Sequence, residues 1–190
     1  EPKEGHTTHF SVVDKWGNLV AYTTTIEAGW GTGMMVRGYG FLLNNELTDF
    51  NTTPLTDGVG CNNVAPFKRP LSSMSPTIVL RNGRPILSVG AAGGPTIISQ
   101  TLLAILYTID FGMPVEKALA LPRFHQQWQP DELRIERSVP GKTLRELEKR
   151  GHRLKVVDSI GAAQAVAFDG KTSGFTGAAD PRGEGRAGRF

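Results

Sequence analysis

The chain has 190 residues, of which 39% are hydrophobic, and its 21 Lys and Arg residues nearly balance its 18 Asp and Glu residues. This length fits one ordinary domain, and a net charge of +3 spread along the chain excludes the electrostatic pattern of a nucleic-acid-binding protein. The single cysteine, Cys61, has no second cysteine with which to form an internal disulfide or a metal-ligand pair.

The first residues of the chain and its apolar segments bear on the cellular compartment of the protein. The first residue is not methionine, and residues 1–6 have the composition of a loop inside a longer protein. A targeting segment could therefore lie upstream, which leaves the compartment open: periplasmic or extracellular with a signal peptide, cytoplasmic otherwise. No apolar run approaches the length that spans a bilayer, so we expect no membrane insertion.

The first forty residues predict a β-hairpin followed by irregular backbone. Residues 8–13 and 19–26 are rich in Val, Thr, Phe and Tyr, and they flank turn-forming residues at 14–18. Residues 27–40 contain five glycines, which favours loop structure. The polar connection at 51–67 predicts a second long loop, and ordered loops of that length are often functional.

The middle of the chain predicts a second hairpin and then a helix. Residues 76–80 and 85–89 flank Asn82-Gly83, the strongest short hairpin signal. Gly93-Gly94-Pro95 then precedes an apolar stripe at helical spacing over residues 97–109, with Pro95 suited to the first turn.

The last third predicts further helices and strands. Residues 114–121 and 143–150 have helical patterns, and Gly151 is placed to end the second of them. Later strands are predicted at residues 153–157, 164–168 and 173–176. Strand-rich ends with helices between them predict an α+β layered domain.

Two places could carry chemistry on the residues alone. Thr7 stands just before the first predicted strand, where a hydroxyl at a sheet edge could act as a nucleophile, although threonine is common in strands and an ordinary strand opening explains it as well. Gly93-Gly94 could supply backbone N–H groups to an anion, to a phosphate, or simply form a turn.

Seven short blocks along the chain occur together in one known family and in the same order. The blocks span nearly the whole chain, and the longest, Arg69 to Thr77, reads Arg-Pro-Leu-Ser-Ser-Met-Ser-Pro-Thr and is highly specific. In chain order, they cover residues 7–14, 42–46, 68–77, 93–94, 122–125, 131–134 and 179–182. On these blocks the chain resembles the small subunit of γ-glutamyltranspeptidases.

The resemblance implies an α+β fold of the N-terminal nucleophile hydrolase type, the four-layered αββα sandwich. Residues 7–190 would be the small-subunit catalytic domain, and residues 1–6 a remnant of the segment upstream of an autocleavage site between His6 and Thr7. The implied partner is the large subunit from the same precursor, which completes the sandwich and supplies an arginine for the substrate carboxylate. We identify no residue of this chain as that arginine.

The family chemistry centres on Thr7. The resemblance implies that Thr7 attacks the His6 carbonyl in the precursor, an acyl shift follows, and hydrolysis frees the Thr7 α-amine. A threonine hydroxyl is a poor nucleophile at neutral pH, whereas a free α-amine titrates near neutrality and can accept its proton. Residues 1–6 cap that amine, so we expect the intact chain to be an unprocessed or engineered form without turnover.

The resemblance assigns other residues to the same site. Thr25 would contact the nucleophile, and Gly93 and Gly94 would bind the oxyanion through their N–H groups. Without the family match, Thr25 is equally an ordinary strand threonine.

Four polar residues match those that hold the γ-glutamyl unit. The carboxylates of Glu46 and Asp49 suit its α-ammonium group, and the hydroxyls of Ser72 and Ser73 suit its α-carboxylate. Taken singly, each is more often a solvated loop residue.

The function implied is γ-glutamyl hydrolysis or transpeptidation on glutathione and related compounds through an acyl-enzyme on Thr7. Glu27 stands where many family members have Asn, which adds a carboxylate to the substrate site. The connection at 51–67 is shorter than a tyrosine-bearing lid and contains no Tyr, so we expect an open acyl site in which hydrolysis rivals transfer. A cephalosporin or glutaryl acylase of the same fold is the alternative, and a catalytically silent binding domain is the second.

The four histidines were tested as metal ligands. No His-Glu-x-x-His motif or cysteine pair accompanies His6, His9, His125 or His152. We therefore predict neither a metal site nor a cofactor.

Overall fold

The computed structural model describes residues 6–54, 60–170 and 174–189. The predicted pro-segment therefore lies outside the described residues except for His6. The described part contains nine strands and three α-helices: β1 (Thr7–Val13), β2 (Leu19–Thr25), β3 (Thr77–Arg81), β4 (Arg84–Ala92), α1 (Ile97–Ile105), α2 (Val115–Ala120), β5 (Phe124–His125), β6 (Leu133–Glu136), α3 (Gly141–Lys149), β7 (Leu154–Val157), β8 (Ala162–Asp169) and β9 (Gly174–Ala179).

The predicted first hairpin is confirmed. Strands β1 and β2 pair antiparallel from Thr7 opposite Thr25 to Val13 opposite Leu19. The Asp14 carboxylate closes the turn by accepting hydrogen bonds from the N–H groups of Trp16 and Asn18, each at 2.9 Å. This pairing fixes which side chains of the hairpin share a face.

A four-stranded antiparallel sheet in the order β3-β4-β8-β9 forms the centre of the domain. The predicted second hairpin is its β3–β4 pair. Strand β4 is buried on both faces, because β1 and β2 pack on one side while α1 packs on the other. The described residues thus form helix, sheet and hairpin layers, and the α+β prediction is confirmed.

The apolar core lies between the central sheet and helices α1 and α2. It is filled by small side chains, mainly alanine, and by branched side chains of valine, leucine and isoleucine. The fully or almost fully buried members are Leu87, Val89, Ala91, Ile97, Leu119 and Ala163. No helix in the described ranges is long and apolar enough to cross a membrane.

The predicted helix over 97–109 is continuous, but its backbone changes from α-helical to π-helical hydrogen bonding. Helix α1 ends at Ile105, and residues Leu106–Asp110 continue it as a π-helical turn. The apolar stripe was read correctly, whereas the change of backbone hydrogen bonding left no signal in the residue pattern.

A third sheet, in the order β5-β6-β7, joins an antiparallel pair to a parallel pair. The pattern predicted β7 and the helix α3 that precedes it, but it missed β5 and β6. Both missed strands are short, with two and four residues, and they become strands only through pairing with each other and with β7.

Four charged side chains form a buried cluster between α2, β6 and β9. Arg123 pairs with Asp180, and both are almost fully buried. Arg182 contacts both oxygens of Glu136, at 2.7 and 2.6 Å, and reaches Asp180 at 3.1 Å. Burial raises the pKa of Glu136, but the hydrogen bonds from Arg182 and from backbone N–H groups outweigh it and hold that pKa below its usual value.

We expect removal of one member of this cluster to be costly. Asp180→Ala leaves the Arg123 guanidinium buried without its carboxylate, so the free energy of unfolding should fall by about 3–5 kcal/mol. Urea denaturation of the full-length precursor measures this change. The exposed pair Arg137–Asp158 provides the control, because Asp158→Ala should cost less than about 1 kcal/mol. Equal effects of the two variants would contradict the expectation.

Candidate active site

All nine residues assigned to catalysis or substrate binding line one cleft of about 1280 Å³. They come from β1, β2, the loop after β2, the segment before β3 and the turn after β4. In chain order they are Thr7, Thr25, Glu27, Glu46, Asp49, Ser72, Ser73, Gly93 and Gly94. His6, the residue on the other side of the predicted cleavage site, lines the same cleft.

Thr7 and Thr25 face each other across the open end of the hairpin. The Thr7 hydroxyl donates a hydrogen bond to Thr25 Oγ1 at 3.1 Å. Thr25 Oγ1 also accepts the Glu27 N–H at 2.9 Å. The His6 N–H donates to the Glu27 carbonyl at 3.2 Å, so the pairing of the two strands continues one residue beyond the His6–Thr7 peptide bond.

Glu27 has a left-handed backbone with φ +67°, a conformation that a glutamate seldom adopts. Asn45 holds the residue there. Its side-chain carbonyl accepts the Ala28 N–H at 2.9 Å, and its side-chain N–H₂ donates to the Glu27 carboxylate and to Thr48 Oγ1. The sequence assigns Asn45 no role, because the two residues that it holds in this conformation lie 17 and 18 positions away along the chain.

Three carboxylates, those of Glu27, Glu46 and Asp49, line this side of the cleft. Burial raises the pKa of Glu46, and the nearby Asp49 and Glu27 carboxylates raise it further. One Glu46 oxygen, Oε1, is buried without a hydrogen-bond partner among the described residues. This buried oxygen therefore lacks a hydrogen-bond donor, and a bound cation could supply one.

The two serines line the same cleft from the segment before β3. Ser72 Oγ accepts the Met74 N–H at 3.2 Å, and the Ser73 carbonyl accepts the Ser75 hydroxyl at 3.0 Å. Both hydroxyl groups can still donate to an anion, since a serine hydroxyl carries one proton and two lone pairs.

Gly93 and Gly94 form the turn between β4 and α1. Their φ angles are +137° and +58°, which favour glycine at both positions. A Cβ at Gly93 would lie 2.8 Å from Thr96 Oγ1 and 2.9 Å from Gln100 Nε2. The pair begins the first helical turn, where backbone N–H groups have no intrahelical acceptor.

His9 lies two residues after Thr7 on the same face of β1. It is 5% exposed, and its ring nitrogens contact Thr23 Oγ1 at 2.7 Å and Ser11 Oγ at 3.1 Å. Burial lowers the pKa of His9 to about 4. His9 is therefore neutral at pH 7 and contributes packing rather than charge beside Thr7.

The sequence reasoning missed several lining residues on the α1 and β6 side of the cleft. Ser99 Oγ lies 2.6 Å from His125 Nδ1, and Arg182 extends from the buried charge cluster to the cleft wall. His125 and Arg182 stood within quoted family blocks, which was the available signal. Residues 6–54, 60–170 and 174–189 contain no group of three or more residues suited to hold a metal ion.

Comparison with known proteins gives the family of the chain. The γ-glutamyltranspeptidase family model matches residues 1–190. The chain belongs to the γ-glutamyltranspeptidase family. The glutathione hydrolase proenzyme of Bacillus subtilis strain 168 is 47% identical over 97% of this chain, and that of Escherichia coli K12 is 42% identical over 95%. These matches cover only 31% and 32% of the relatives' own lengths.

Solved structures confirm the N-terminal nucleophile hydrolase fold. A mutant γ-glutamyltranspeptidase of Helicobacter pylori superposes with a TM-score of 0.85 and 44% identity, covering 93% of this chain and 100% of that one. A cephalosporin acylase of Bacillus halodurans gives 0.82 and 27%, covering 94% of this chain and 33% of that one. The fold is thus shared by both enzymes that the sequence analysis weighed.

The burial of His9 predicts a pH dependence of stability. Its pKa is about 4 in the folded state and about 6.5 in the unfolded state, so between these values the unfolded state binds more protons. Stability should therefore fall by about 3 kcal/mol as the pH drops from 7 to 4. Urea midpoints of the full-length precursor at several pH values measure this slope.

His9→Asn should remove this part of the slope. The matched control is His152→Gln, at an exposed position outside the strands, which should retain the slope of the unmodified protein. A slope unchanged by His9→Asn would contradict the assignment.

Proposed function

We propose that this chain is the nucleophile-bearing part of a γ-glutamyl hydrolase and transpeptidase. The observation that carries the proposal is the contact between the Thr7 and Thr25 hydroxyls at the edge of a cleft lined by a carboxylate cluster, two serines and a glycine turn. The family membership of residues 1–190 supports it.

In the proposed maturation, Thr7 Oγ attacks the His6 carbonyl carbon and the chain moves from nitrogen to oxygen as an ester. Water then cleaves the ester, which leaves a carboxylate on His6 and a free α-amine on Thr7. The hydrogen bond from Thr7 to Thr25 orients the hydroxyl before attack. Relatives of this chain are named proenzymes, which is consistent with such a step.

In the proposed turnover, the Thr7 α-amine takes the hydroxyl proton as Oγ attacks the γ-carbonyl of the substrate. The oxyanion that forms accepts hydrogen bonds from the Gly93 and Gly94 N–H groups. The leaving amine departs with a proton, and the γ-glutamyl ester on Thr7 remains. Water or an acceptor amine then attacks this ester, which gives hydrolysis or transfer.

Charge complementarity supports a γ-glutamyl substrate. The carboxylates of Glu27, Glu46 and Asp49 form an acidic wall suited to the substrate ammonium, and the unpartnered Glu46 Oε1 supplies an acceptor. The hydroxyls of Ser72 and Ser73, which line the same cleft, would hold the α-carboxylate.

The exposed apolar face of the hairpin supports the proposal that a partner subunit covers it. Phe10, Val12, Val20 and Tyr22 are each 46–50% exposed on that face, and the Phe10 and Tyr22 rings stack with centroids 4.9 Å apart. A two-stranded sheet with an uncovered apolar face is a marginal structure in water. We propose that the large subunit, encoded upstream in the same precursor, packs against this face and completes the αββα sandwich.

A glutaryl or cephalosporin acylase is the second candidate. The resemblance to the Bacillus halodurans cephalosporin acylase supports it. The acidic wall argues against it, because a glutaryl group has no ammonium to balance the three carboxylates and brings a further carboxylate of its own into the cleft.

Replacing the nucleophile gives a direct test. In the full-length precursor, Thr7→Ala should abolish cleavage before residue 7 and lower γ-glutamyl anilide hydrolysis at least about a thousandfold. Chain masses and N-terminal sequencing report the cleavage. The neighbouring Thr8→Ala, on the opposite face of β1, is the matched control and should retain both processes. Cleavage or turnover that persists in Thr7→Ala would refute the proposal.

The substrate class is tested by two anilides that differ only in the α-amine. Glu46→Gln should lower kcat/KM for the γ-glutamyl anilide about 10- to 100-fold, since it weakens a charge-assisted hydrogen bond. The same change should leave the glutaryl anilide within about threefold. Glu116→Gln, on the exposed face of α2, should affect neither. Equal loss on both substrates, or a preference for glutaryl, would favour the acylase.

A further inference from the structure

Two buried side chains hold the glycine turn from behind. Gln100 on α1 is 1% exposed and Thr96 is 4% exposed. Gln100 Nε2 donates to the Ala92 carbonyl at 3.0 Å and to Thr96 Oγ1 at 3.0 Å. The Thr96 hydroxyl donates in turn to the Gly93 carbonyl at 2.7 Å.

These bonds set the direction of the two N–H groups that the proposed mechanism uses. In a planar trans peptide, the carbonyl and the N–H point in opposite directions. Because Gln100 holds the Ala92 carbonyl, the Gly93 N–H points away from Gln100. Because Thr96 holds the Gly93 carbonyl, the Gly94 N–H points away from the Thr96 hydroxyl. Neither peptide can flip without breaking a buried hydrogen bond.

The buried charge cluster fixes the orientation of the Gln100 amide. Arg123 can only donate hydrogen bonds, and its Nη1 contacts Gln100 Oε1 at 3.3 Å. The amide oxygen must therefore face Arg123, which leaves the amide N–H₂ for Ala92 and Thr96. Arg123 is itself fixed by the Asp180 carboxylate and by the Ile160 carbonyl at 2.9 Å.

Close packing prevents Gln100 from adopting another position. Gly161 has φ +55°, and a Cβ there would overlap the Gln100 amide and the Ala92 carbonyl. The Gly93 Cα also lies close enough that a Cβ on it would meet the same amide at 2.9 Å. The Gln100 amide thus occupies space that is free only because residues 93 and 161 are glycines.

We infer that Gln100 and Thr96 are positioning residues, which direct the Gly93 and Gly94 N–H groups to the oxyanion formed on the substrate of Thr7. They contact the backbone of the oxyanion site rather than the reacting atoms. This inference rests on the proposed function, since it requires Thr7 as nucleophile and the two glycines as donors.

The test compares acylation rates in the full-length, processed precursor. Gln100→Met keeps the length of the side chain and removes its donors, and Thr96→Val replaces the hydroxyl by a methyl group. Each should lower the single-turnover acylation rate constant with a γ-glutamyl anilide at least about tenfold. The substrate dissociation constant and the pH dependence of acylation should stay unchanged, because binding groups and the Thr7 amine are untouched. Thr96→Ser should restore the rate.

Thr101→Val is the matched control. Thr101 lies on the same helix and is 3% exposed, and its hydroxyl has no hydrogen-bond partner among the described residues. Its replacement should leave acylation unchanged. Unchanged acylation in Gln100→Met and Thr96→Val would overturn the inference, as would an equal loss in Thr101→Val or in Thr96→Ser. If Gln100→Met fails to accumulate, the Thr96 variants decide alone.

Thr7→Ala in the same assay separates the two proposals. If Thr7→Ala is inactive while Gln100→Met and Thr96→Val acylate normally, only the positioning role fails. If Thr7→Ala remains active, the proposed function fails and the positioning role fails with it.

Discussion

The packing of the hairpin on strand β4 determines where the reactive groups meet. A Cβ at Gly90 would overlap the His9 ring, so the two strands approach closely only because residue 90 is glycine. The Ser88 hydroxyl bonds Ser11 Oγ at 2.9 Å and the Val20 carbonyl at 3.0 Å, which secures the same seam. Thr7 lies two residues before His9 on β1. Ala92 lies two residues after Gly90 on β4, directly before the glycine turn. Two-residue steps keep side chains on one face of a strand, so this single contact aligns Thr7 with the glycine turn.

The charged groups of the chain divide into two environments with different roles. The cluster of Arg123, Asp180, Glu136 and Arg182 is closed, and each charge finds an opposite charge within it. The three carboxylates of the acidic wall form no salt bridge with another described residue, although Arg134 and Arg182 line the same open cleft. A closed cluster can hold backbone in place, whereas an unbalanced wall can attract a ligand of opposite charge. The Gln100 amide connects the closed cluster, through Arg123, to the Ala92 carbonyl beside the glycine turn.

The sequence predicted the elements whose signal is local. The Asp14 to Asn18 turn, the Asn82-Gly83 turn and the apolar stripe of α1 each depend on neighbours in the chain, and each was confirmed. Strands β5 and β6, the π-helical turn and the role of Asn45 depend on partners far away in sequence, and residue patterns of a few positions cannot report these. The family resemblance named the nine cleft residues, six of them within the blocks. It carried no information on Gln100, whose importance follows only from the Ala92 and Thr96 contacts.

Glu27 links the two halves of the cleft. Its carbonyl accepts the His6 N–H, and its N–H donates to Thr25 Oγ1. Its backbone therefore contacts the His6 side of the predicted scissile bond directly and the Thr7 side through Thr25. Its carboxylate meanwhile belongs to the acidic wall and accepts from Asn45. The left-handed backbone of Glu27 is the conformation that allows both sets of contacts at once. The carboxylate that lines the cleft and the backbone N–H that contacts Thr25 thus belong to one residue, so a change in the Glu27 backbone would move both.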